Sequence, residues 1–307
     1  MIEASALCKS FAGRAAVKEM SFSVQPGEVA GFLGPNGAGK STTMKMLTGF
    51  LAADAGTARL CGVDVMREPV RARHMLGYLP EGAPCYAEMK VHDFLTFIAK
   101  MRGYRGAELQ ERIRRVQDLL ELGEVSQQLI GTLSKGFNRR VGLAQAVLHE
   151  PPVLILDEPT DGLDPNQKHQ VRELIRRLAP GRTILVSTHI LEEIEAICSR
   201  VLLIARGRLV TDATPLQLRR QSRYWQAVCL RSSHSALDAS LLARVPGVQQ
   251  VEAADDGALI LIAEPGQVLL PAVQALVRQQ AWQLDELSVE AGRLDDVFRR
   301  LTQENAS

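Results

Sequence analysis

The 307 residues are enough for one large domain or two average ones, and 46% hydrophobic with 23% charged residues is typical of a folded chain rather than a disordered one. The 36 basic residues balance 35 acidic ones, so the net charge of +1 predicts no overall attraction to nucleic acid or anionic lipid. No apolar run reaches the roughly 18 residues of a membrane-spanning helix, and neither a signal-peptide core nor a C-x-x-C pair occurs, which favours a cytoplasmic protein with reduced thiols.

Apolar strands and helical patterns alternate through the first two thirds of the chain. The predicted strands lie at 2–7, 15–24, 28–33, 153–157 and 183–188, and the predicted helices lie at about 39–48 and within 86–148. The runs at 29–33 and 153–157 are continuously apolar, which is typical of strands buried on both faces. This region is therefore predicted to be an α/β domain around a parallel sheet.

The texture of the sequence changes beyond about residue 215. The predicted order is a strand at 224–230, a helix at 237–245, strands at 248–253 and 258–263, a helix at 269–277, a strand at 282–289 and a helix at 294–301. Asp255-Asp256-Gly257 is a strong hairpin-turn signal between the two middle strands. The βαββαβ order predicts a small α+β domain of ferredoxin-like type. The predicted domains are 1–215 and 223–307, joined by a linker at 216–222.

A glycine-rich segment joins the strand at 28–33 to the helix at 39–48. It fits G-x-x-x-x-G-K-[ST], with one further hydroxyl residue behind it, and reads Gly34, Pro35, Asn36, Gly37, Ala38, Gly39, Lys40, Ser41 and Thr42. Glycines let backbone N–H groups turn around phosphate oxygens, and the helix N-terminus adds partial positive charge. Lys40 is predicted to reach the β- and γ-phosphates, and the Ser41 hydroxyl to bind Mg²⁺.

The apolar run at 153–157 ends in two acids. Asp157 is predicted to hold Mg²⁺ through water, and Glu158 to orient or deprotonate an attacking water molecule. An apolar strand that ends in two acids is by itself often only a strand meeting a loop. The phosphate-binding segment in the same chain favours the catalytic interpretation.

Five further segments carry a resemblance to the ATP-binding cassette (ABC) ATPases. Leu133-Ser134-Lys135-Gly136-Phe137 resembles their LSGGQ-type signature, Asp161-Gly162-Leu163-Asp164 the D-loop, His189 the switch histidine and Gly77-Tyr78-Leu79-Pro80-Glu81 the Q-loop region; Phe11 stands where the family has an adenine-stacking aromatic. The motifs occur in the family's order over residues 1 to about 215. The resemblance implies a P-loop ATPase core with a RecA-like parallel sheet. It also implies an antiparallel β subdomain and a helical subdomain, the latter at about 86–148.

The resemblance also implies roles for these residues. Two such chains bind head to tail around two ATP molecules, so that Ser134 and Gly136 of one subunit contact the γ-phosphate held by Lys40 of the other. The complete set of motifs permits two identical active sites and favours a homodimer, with a heterodimer as the alternative. Asp164 belongs to the same nucleotide-binding set, and His189 contacts the γ-phosphate. Phe11 stacks on adenine, with a place in the core as the alternative.

Three residues depart from the family's pattern. Glu81 replaces the usual glutamine, and its carboxylate is still able to reach Mg²⁺ or nucleotide-bound water while adding negative charge. Lys135 and Phe137 replace Gly and Gln in the signature. Lys135 either places a cation near the partner's nucleotide or points to solvent.

Several segments narrow the resemblance to the ATPases of ABC-2-type bacterial exporters, the gliding-motility and multidrug type. They are GYLPE at 77–81, LSKG at 133–136 and Leu294-Asp295-Asp296-Val297-Phe298. In that class a separate polytopic membrane subunit docks in a groove beside the Q-loop, bounded here by residues of the helical region at about 82–105. Such docking implies a peripheral location on the cytoplasmic face of the membrane. Met89, Phe94, Phe97 and Ile98 are candidates for the groove, although apolar residues at helical spacing are also typical of a core.

Two other functions remain open from the sequence. A soluble ABC ATPase acting on nucleic acid or ribosomes typically carries two cassettes or a long coiled coil, neither of which occurs here, and the balanced charge also disfavours nucleic acid. A cassette that uses its nucleotide only as a switch does not need both Glu158 and His189. The favoured function is an ATP-hydrolysing subunit that drives export through a membrane partner.

Overall fold

The computed structural model describes residues 1–83, 85–254 and 256–304. The chain forms two compact units, residues Met1–Ala213 and Thr214–Ser307. A helix at Pro215–Arg219 occupies most of the segment predicted as a linker. Across the described ranges, no helix has both the length and the apolar character needed to cross a membrane.

The first unit contains ten strands and seven helices in its described residues. In chain order they are β1 (Ile2–Phe11), β2 (Arg14–Val24), β3 (Val29–Leu33), α1 (Lys40–Leu47), β4 (Ala55–Leu60), β5 (Val63–Asp64), α2 (Pro69–His74), β6 (Leu76–Leu79), α3 (Val91–Met101), α4 (Gly106–Leu119), α5 (Lys135–Val147), β7 (Val153–Asp157), α6 (Pro165–Leu178), β8 (Thr183–Thr188), α7 (Leu191–Ile197), β9 (Arg200–Ala205) and β10 (Arg208–Ala213).

The central sheet of this unit confirms the predicted α/β fold. Its strand order is β10-β9-β3-β8-β7-β6, with β10 antiparallel and the others parallel. Every residue of β3, β7 and β8 is buried, which explains the apolar runs of β3 and β7 and the apolar centre of β8. Because Leu33 pairs with Thr188 and Asp157 pairs with Ser187, the loops that follow these three strands meet at one edge of the sheet.

Two further layers complete the unit. An antiparallel sheet of order β2-β1-β4-β5 shares a core with α1 and the central sheet, in which Met20, Phe32 and Met44 are fully buried. The segment predicted as helical at 86–148 forms α3, α4 and α5, joined by loops and two short 3₁₀ turns. Leu109 and Ile113 are buried on one face of α4, as their spacing predicts.

The second unit begins with the helix in the predicted linker. Its elements are α8 (Pro215–Arg219), β11 (Trp225–Arg231), α9 (Ala239–Leu242), β12 (Val248–Ala253), β13 (Leu259–Ala263), α10 (Leu270–Gln279), β14 (Glu286–Ala291) and α11 (Leu294–Glu304). Its sheet has the order β12-β13-β11-β14 with antiparallel neighbours, which confirms the split βαβ arrangement of a ferredoxin-like domain.

One strand boundary in this unit was predicted wrongly. The last strand begins at Glu286 rather than at Trp282. The backbone N–H of Trp282 donates to the carbonyl of Val277 and so continues the C-terminal turn of α10. Its ring packs against the core of the second unit from that turn. The sequence pattern therefore places the start of the strand at an apolar residue that lies outside it. Of the predicted hairpin turn, Asp255 lies outside the described residues, and Asp256 and Gly257 lie in a turn.

Candidate active site

The glycine-rich segment wraps the N-terminus of α1. Gly39 immediately precedes the helix with φ +103°, a conformation that L side chains rarely adopt. A Cβ atom at this position would also lie 2.7 Å from the carbonyl oxygen of Ala16. The chain therefore needs glycine here to bring the first N–H groups of α1 to the edge of the sheet, where they can bind an anion.

Lys40 is buried at the first turn of α1, with 7% of its surface exposed. Its Nζ donates to the carbonyl oxygens of Gly34 at 2.7 Å and Pro35 at 3.3 Å, and lies 3.9 Å from Oε1 of Glu158. Burial lowers the pKa of Lys40, and the nearby carboxylates of Glu158 and Asp157 oppose that change. A nucleotide phosphate supplies a stronger partner for this ammonium group than backbone carbonyls do.

The two acids at the end of β7, Asp157 in its last position and Glu158 directly after it, are held by the neighbouring strand β8. Ser187 Oγ donates a hydrogen bond to Asp157 Oδ1. The backbone N–H of Glu158 lies 3.1 Å from Ser187 Oγ and 3.2 Å from the Ser187 carbonyl, to which it donates. Glu158 has φ +47°, the left-handed region that a non-glycine residue occupies only where its surroundings hold it there. Ser187 therefore orients the Asp157 carboxylate and fixes the backbone of Glu158.

Glu158 and His189 form a pair across the ends of β7 and β8. His189 Nδ1 lies 3.0 Å from Glu158 Oε2, within hydrogen-bond distance. Burial raises the pKa of Glu158, and the hydrogen bond from His189 opposes that rise. A buried carboxylate beside an imidazole is suited to accept a proton from water at the edge of the cavity.

A cavity of about 530 Å³ joins these groups. Its lining includes predicted residues from five separate segments: Phe11, Asn36, Gly37, Gly39, Lys40, Ser41, Thr42, Glu81, Glu158 and His189. Phe11 is 49% exposed, so it lies at the rim of the cavity and not in the core. Asp157, at 1% exposure, lies beneath the cavity, while Gly34, Pro35 and Ala38 belong to the loop without lining it.

Four residues near this cavity were not among the predicted site residues. Ala16 and Asp161 line it. Ser187 holds both acids from the neighbouring strand. Arg139 of α5 is buried, and its Nη2 donates to the carbonyl of Asp161 at 3.4 Å. Only Asp161 had a signal in the sequence, since it opens the segment 161–164; the other three reach the site through strand register and packing.

Ser134 and Gly136 do not line this cavity, and neither does Asp164. Ser134 caps α5 by accepting a hydrogen bond from the backbone N–H of Phe137 at 3.3 Å, and Asp164 caps α6 through the N–H of Gln167 at 2.9 Å. A separate cavity of about 450 Å³ is lined by Ser134, Gly136, Phe137 and Gln167 among others, and shares no described residue with the first. Lys135 is exposed at this surface.

Ser41 and Asp157 supply the hydroxyl and carboxylate oxygens that Mg²⁺ prefers, and Glu81 lines the same cavity. Within residues 1–83, 85–254 and 256–304, no group of three or more His, Cys, Asp or Glu side chains is arranged to hold a metal ion alone. Mg²⁺ commonly binds to one or two carboxylates while substrate phosphates and water complete its shell. The residues present therefore fit a magnesium ion that binds together with a nucleotide.

A larger groove of about 880 Å³ lies elsewhere on the first unit. It combines exposed apolar side chains with basic ones: Phe50, Val70 and Met101 with Lys45, Arg73, His74 and Arg102. None of Met89, Phe94, Phe97 and Ile98, which the sequence suggested for such a groove, lines it. Phe94 is buried in the helical region, so it is a core residue and not part of a groove. Phe97 is partly exposed and packs its ring against Tyr86.

Comparison with known proteins finds similarity over about 70% of the chain. A family model described as "ABC transporter" matches residues 17–161. The chain is similar to the ABC transporter ATP-binding protein YxlF of Bacillus subtilis, 38% identical over 223 residues, which cover 73% of this chain and 74% of that protein. It is 39% identical over 218 residues to the Nod factor export ATP-binding protein I of Paraburkholderia xenovorans, with 71% and 72% covered. A solved structure titled an ATP binding subunit of an ABC transporter superposes with a TM-score of 0.66 at 31% identity, covering 72% and 92%.

Proposed function

Because the chain belongs to the family of ABC transporter ATP-binding proteins, which bind and hydrolyse ATP, we propose that it drives an ABC-2-type exporter through a separate membrane subunit. The cavity of about 530 Å³ carries this proposal, because it joins a phosphate-binding loop to a carboxylate–histidine pair and to a rim aromatic. The export direction is supported by the relative whose name describes export of Nod factor.

The residues of the cavity divide the hydrolytic step among themselves. Lys40 and the N-terminus of α1 bind the phosphates of ATP, and Phe11 stacks on the adenine. Ser41, and Asp157 through water, would hold Mg²⁺, which would neutralise charge at the phosphates. Glu158 accepts a proton from the water that attacks the γ-phosphorus, the bond to the ADP oxygen breaks, and ADP and phosphate leave. His189 orients the Glu158 carboxylate from 3.0 Å away.

The separation of the two cavities supports a head-to-tail homodimer. Ser134 and Gly136 line a surface that shares no described residue with the cavity around Lys40. The N-terminus of α5 opens at that surface and is suited to an anion. A Cβ atom at Gly136 would lie 3.0 Å from Gln167, so the short side chain keeps this approach open. In the proposed dimer, one subunit's signature surface covers the nucleotide held by the other.

The groove of about 880 Å³ is proposed to receive the membrane subunit. Val70, Phe50 and Met101 are between 65% and 79% exposed, which is unusual for apolar side chains gathered in one depression. The basic residues beside them favour a partner segment that carries acidic side chains. Two elements connect the groove to the nucleotide cavity: α1, which runs from Lys40 to Lys45 and beyond, and the segment from Tyr78 to Glu81.

The proposed location follows from that docking, on the cytoplasmic face of the membrane beside the partner. The alternative of a soluble ATPase that acts on nucleic acid or ribosomes gains nothing from the relatives described above, which are transporter subunits by name. The groove also favours a protein partner over a polyanion, since apolar side chains contribute much of its lining.

Glu158→Gln tests the catalytic assignment. The amide cannot accept the proton from water, so we expect hydrolysis to slow by on the order of a hundredfold or more while ATP binding persists. Gel filtration with ATP and Mg²⁺ should then show the variant accumulating as a dimer. Glu192→Ala, an exposed acid on α7, serves as the control and should hydrolyse ATP at the native rate. Native turnover by Glu158→Gln would contradict the assignment of the base.

Affinity purification from detergent-solubilised membranes tests the partner. We expect the tagged chain to retain a polytopic membrane protein in stoichiometric amount, and Phe50→Asp to lose it because a carboxylate in the groove repels an acidic partner. Val268→Asp is the matched control, since Val268 is 64% exposed in the second unit. Recovery of ribosomes or of soluble proteins only would favour the alternative function.

A further inference from the structure

Glu193 is an acidic residue that the catalytic scheme above does not use. It lies on α7 and is 1% exposed, although its side chain belongs to a type that is seldom fully buried. Its carboxylate accepts hydrogen bonds from two hydroxyls, Thr160 Oγ1 through Oε1 and Thr188 Oγ1, at 2.8 Å, through Oε2. Both threonines are themselves buried, at 1% and 0% exposure.

Burial of this carboxylate lacks the usual compensation by a cation. Within the described parts of the chain, the ion pairs of lysine, arginine and histidine go to other acids. A buried acid without a basic partner costs free energy, and two hydroxyl donors offset only part of that cost. An apolar side chain would serve the core of the first unit better, so stability alone does not account for Glu193.

The two threonines mark what the carboxylate connects. Thr160 follows Glu158 by two residues in the turn after β7, and Thr188 is the last residue of β8, directly before His189. Thr188 Oγ1 also accepts a hydrogen bond from the backbone N–H of Ile190 at 3.0 Å, so the chain is held on both sides of His189. Glu193 therefore joins the turn that carries the general base to the turn that carries its imidazole partner.

We propose that Glu193 is a positioning residue for hydrolysis: through Thr160 and Thr188 it sets the geometry of the Glu158–His189 pair without touching the nucleotide. The other described contacts between the two strand ends include strand pairing, the hydrogen bonds of Ser187 and the Glu158–His189 pair, and none of these engages the side chains of Thr160 and Thr188. A displacement of about 1 Å between reacting groups can lower a rate by roughly a hundredfold. The inference deepens the proposed function, since it rests on the assignment of Glu158 as the base.

Substitutions at Glu193 separate a positioning role from a structural one. For Glu193→Ala we expect kcat to fall roughly ten- to a hundredfold, while the Kd for a fluorescent ATP analogue and the Tm change little. Glu193→Gln should restore kcat to within about threefold of the native value, because an amide can accept from one threonine and donate to the other. Glu192→Ala, next to it but exposed, is the control.

Thr160→Val and Thr188→Val test the same bridge from its other ends with nearly unchanged volume. Each should lower kcat with native ATP affinity, and each should add little to Glu193→Ala, because one interaction is removed only once. Three outcomes would overturn the inference. They are a native kcat in Glu193→Ala, a kcat that Glu193→Gln does not restore, and a substitution that weakens ATP binding and lowers the Tm together. Glu158→Gln assayed beside them keeps the cases distinct, because its native turnover would refute the base itself.

Discussion

The two units of the chain differ most in what they bury. Among the described residues, the second unit buries one polar side chain, Ser222, whereas the first buries twelve: Lys40, Thr43, Thr48, Arg139, Arg140, Asp157, Glu158, Thr160, Thr183, Ser187, Thr188 and Glu193. Burial of a polar group costs free energy unless it is hydrogen-bonded, and burial of a charge costs more. Most of these buried polar groups, and the free-energy cost of burying them, are found where β7, β8 and α1 meet. The chemistry is proposed to occur at the same place.

The second unit places its charges at the surface instead. Arg223 pairs with Glu252 at 2.9 Å, and Arg231 pairs with Asp256 at 2.7 Å, all with partly exposed side chains. Such pairs contribute roughly 0–1 kcal/mol each. The stability of this unit therefore comes mainly from its apolar core.

The largest expected effect tests whether the two units are energetically distinct. Leu261 is fully buried in the second unit and Leu185 in the first. Each substitution to Ala should cost about 2–5 kcal/mol of unfolding free energy. In calorimetry, ATP with Mg²⁺ should raise only the transition that Leu185→Ala lowers, while Leu261→Ala should leave the ATP affinity unchanged. A single unfolding transition that ATP raises as a whole would show that the two units are not energetically distinct.

Lys40→Ala should be the next largest effect. The substitution removes the buried ammonium that hydrogen bonds to Gly34 and Pro35 and that the nucleotide phosphates are proposed to engage. We expect the Kd for ATP to rise by about a hundredfold, as for a lost charge-assisted contact. Lys45→Ala, on the same helix but exposed, should bind ATP with native affinity in the same titration. Equal ATP affinities in the native protein, Lys40→Ala and Lys45→Ala would show that Lys40 does not bind the nucleotide.

Phe11→Ala should have a smaller effect. An aromatic ring stacked on a base contributes about 1–3 kcal/mol, so we expect ATP to bind roughly tenfold more weakly. Because Phe11 is half exposed, the Tm should stay within a degree or so of native. Isothermal titration with ATP and with inorganic triphosphate separates the two roles, since only ATP offers a base. An equal loss for both ligands would contradict stacking.

The smallest expected effect is a pH dependence that belongs to the first unit. Burial lowers the pKa of His149 to about 4, and the neighbouring Arg102, His74 and Arg112 lower it as well. The unfolded chain, with an ordinary histidine pKa near 6.5, therefore binds more protons than the folded chain between about pH 6.5 and pH 4. Folding stability should fall as the pH falls through that window, by on the order of 1–2 kcal/mol from this residue.

Chemical denaturation at pH 7 and pH 4.5 measures how steeply the free energy of unfolding depends on pH, which is the slope compared here. In His149→Gln the slope should be shallower, because the variant lacks the buried imidazole. His169→Gln removes an exposed histidine on α6 and should leave the slope as it is. Identical slopes for all three proteins would show that His149 is not buried as a neutral ring.

Sequence reasoning succeeded where the determinants are contiguous. The segment 34–41 specifies its turn through glycines and its anion site through the helix that follows, so loop and helix are encoded within ten or so residues. The apolar runs of β3 and β7 likewise predict buried strands, and the placement of Asp157 and Glu158 at a strand end follows from the second of them. The βαββαβ order of the second unit was also readable from alternating patterns.

Other features were invisible because they depend on which segments become neighbours. Ser187 aims Asp157 only because the register of β7 and β8 pairs them. Glu193 reads as one more acid on a helix, and its burial between Thr160 and Thr188 appears only when α7 packs behind the sheet edge.

By itself the sequence determined the family, the phosphate-binding loop and the identity of the acids at the sheet edge, because local backbone chemistry and burial periodicity are written in consecutive residues. Tertiary structure alone decided that Met101, rather than Phe94, lines the exposed groove, that Phe11 stands at a rim, and that the Ser134 surface is separate from the Lys40 cavity. These outcomes depend on long-range packing, which gives one apolar side chain to the core and leaves another at the surface for reasons that no sequence period contains.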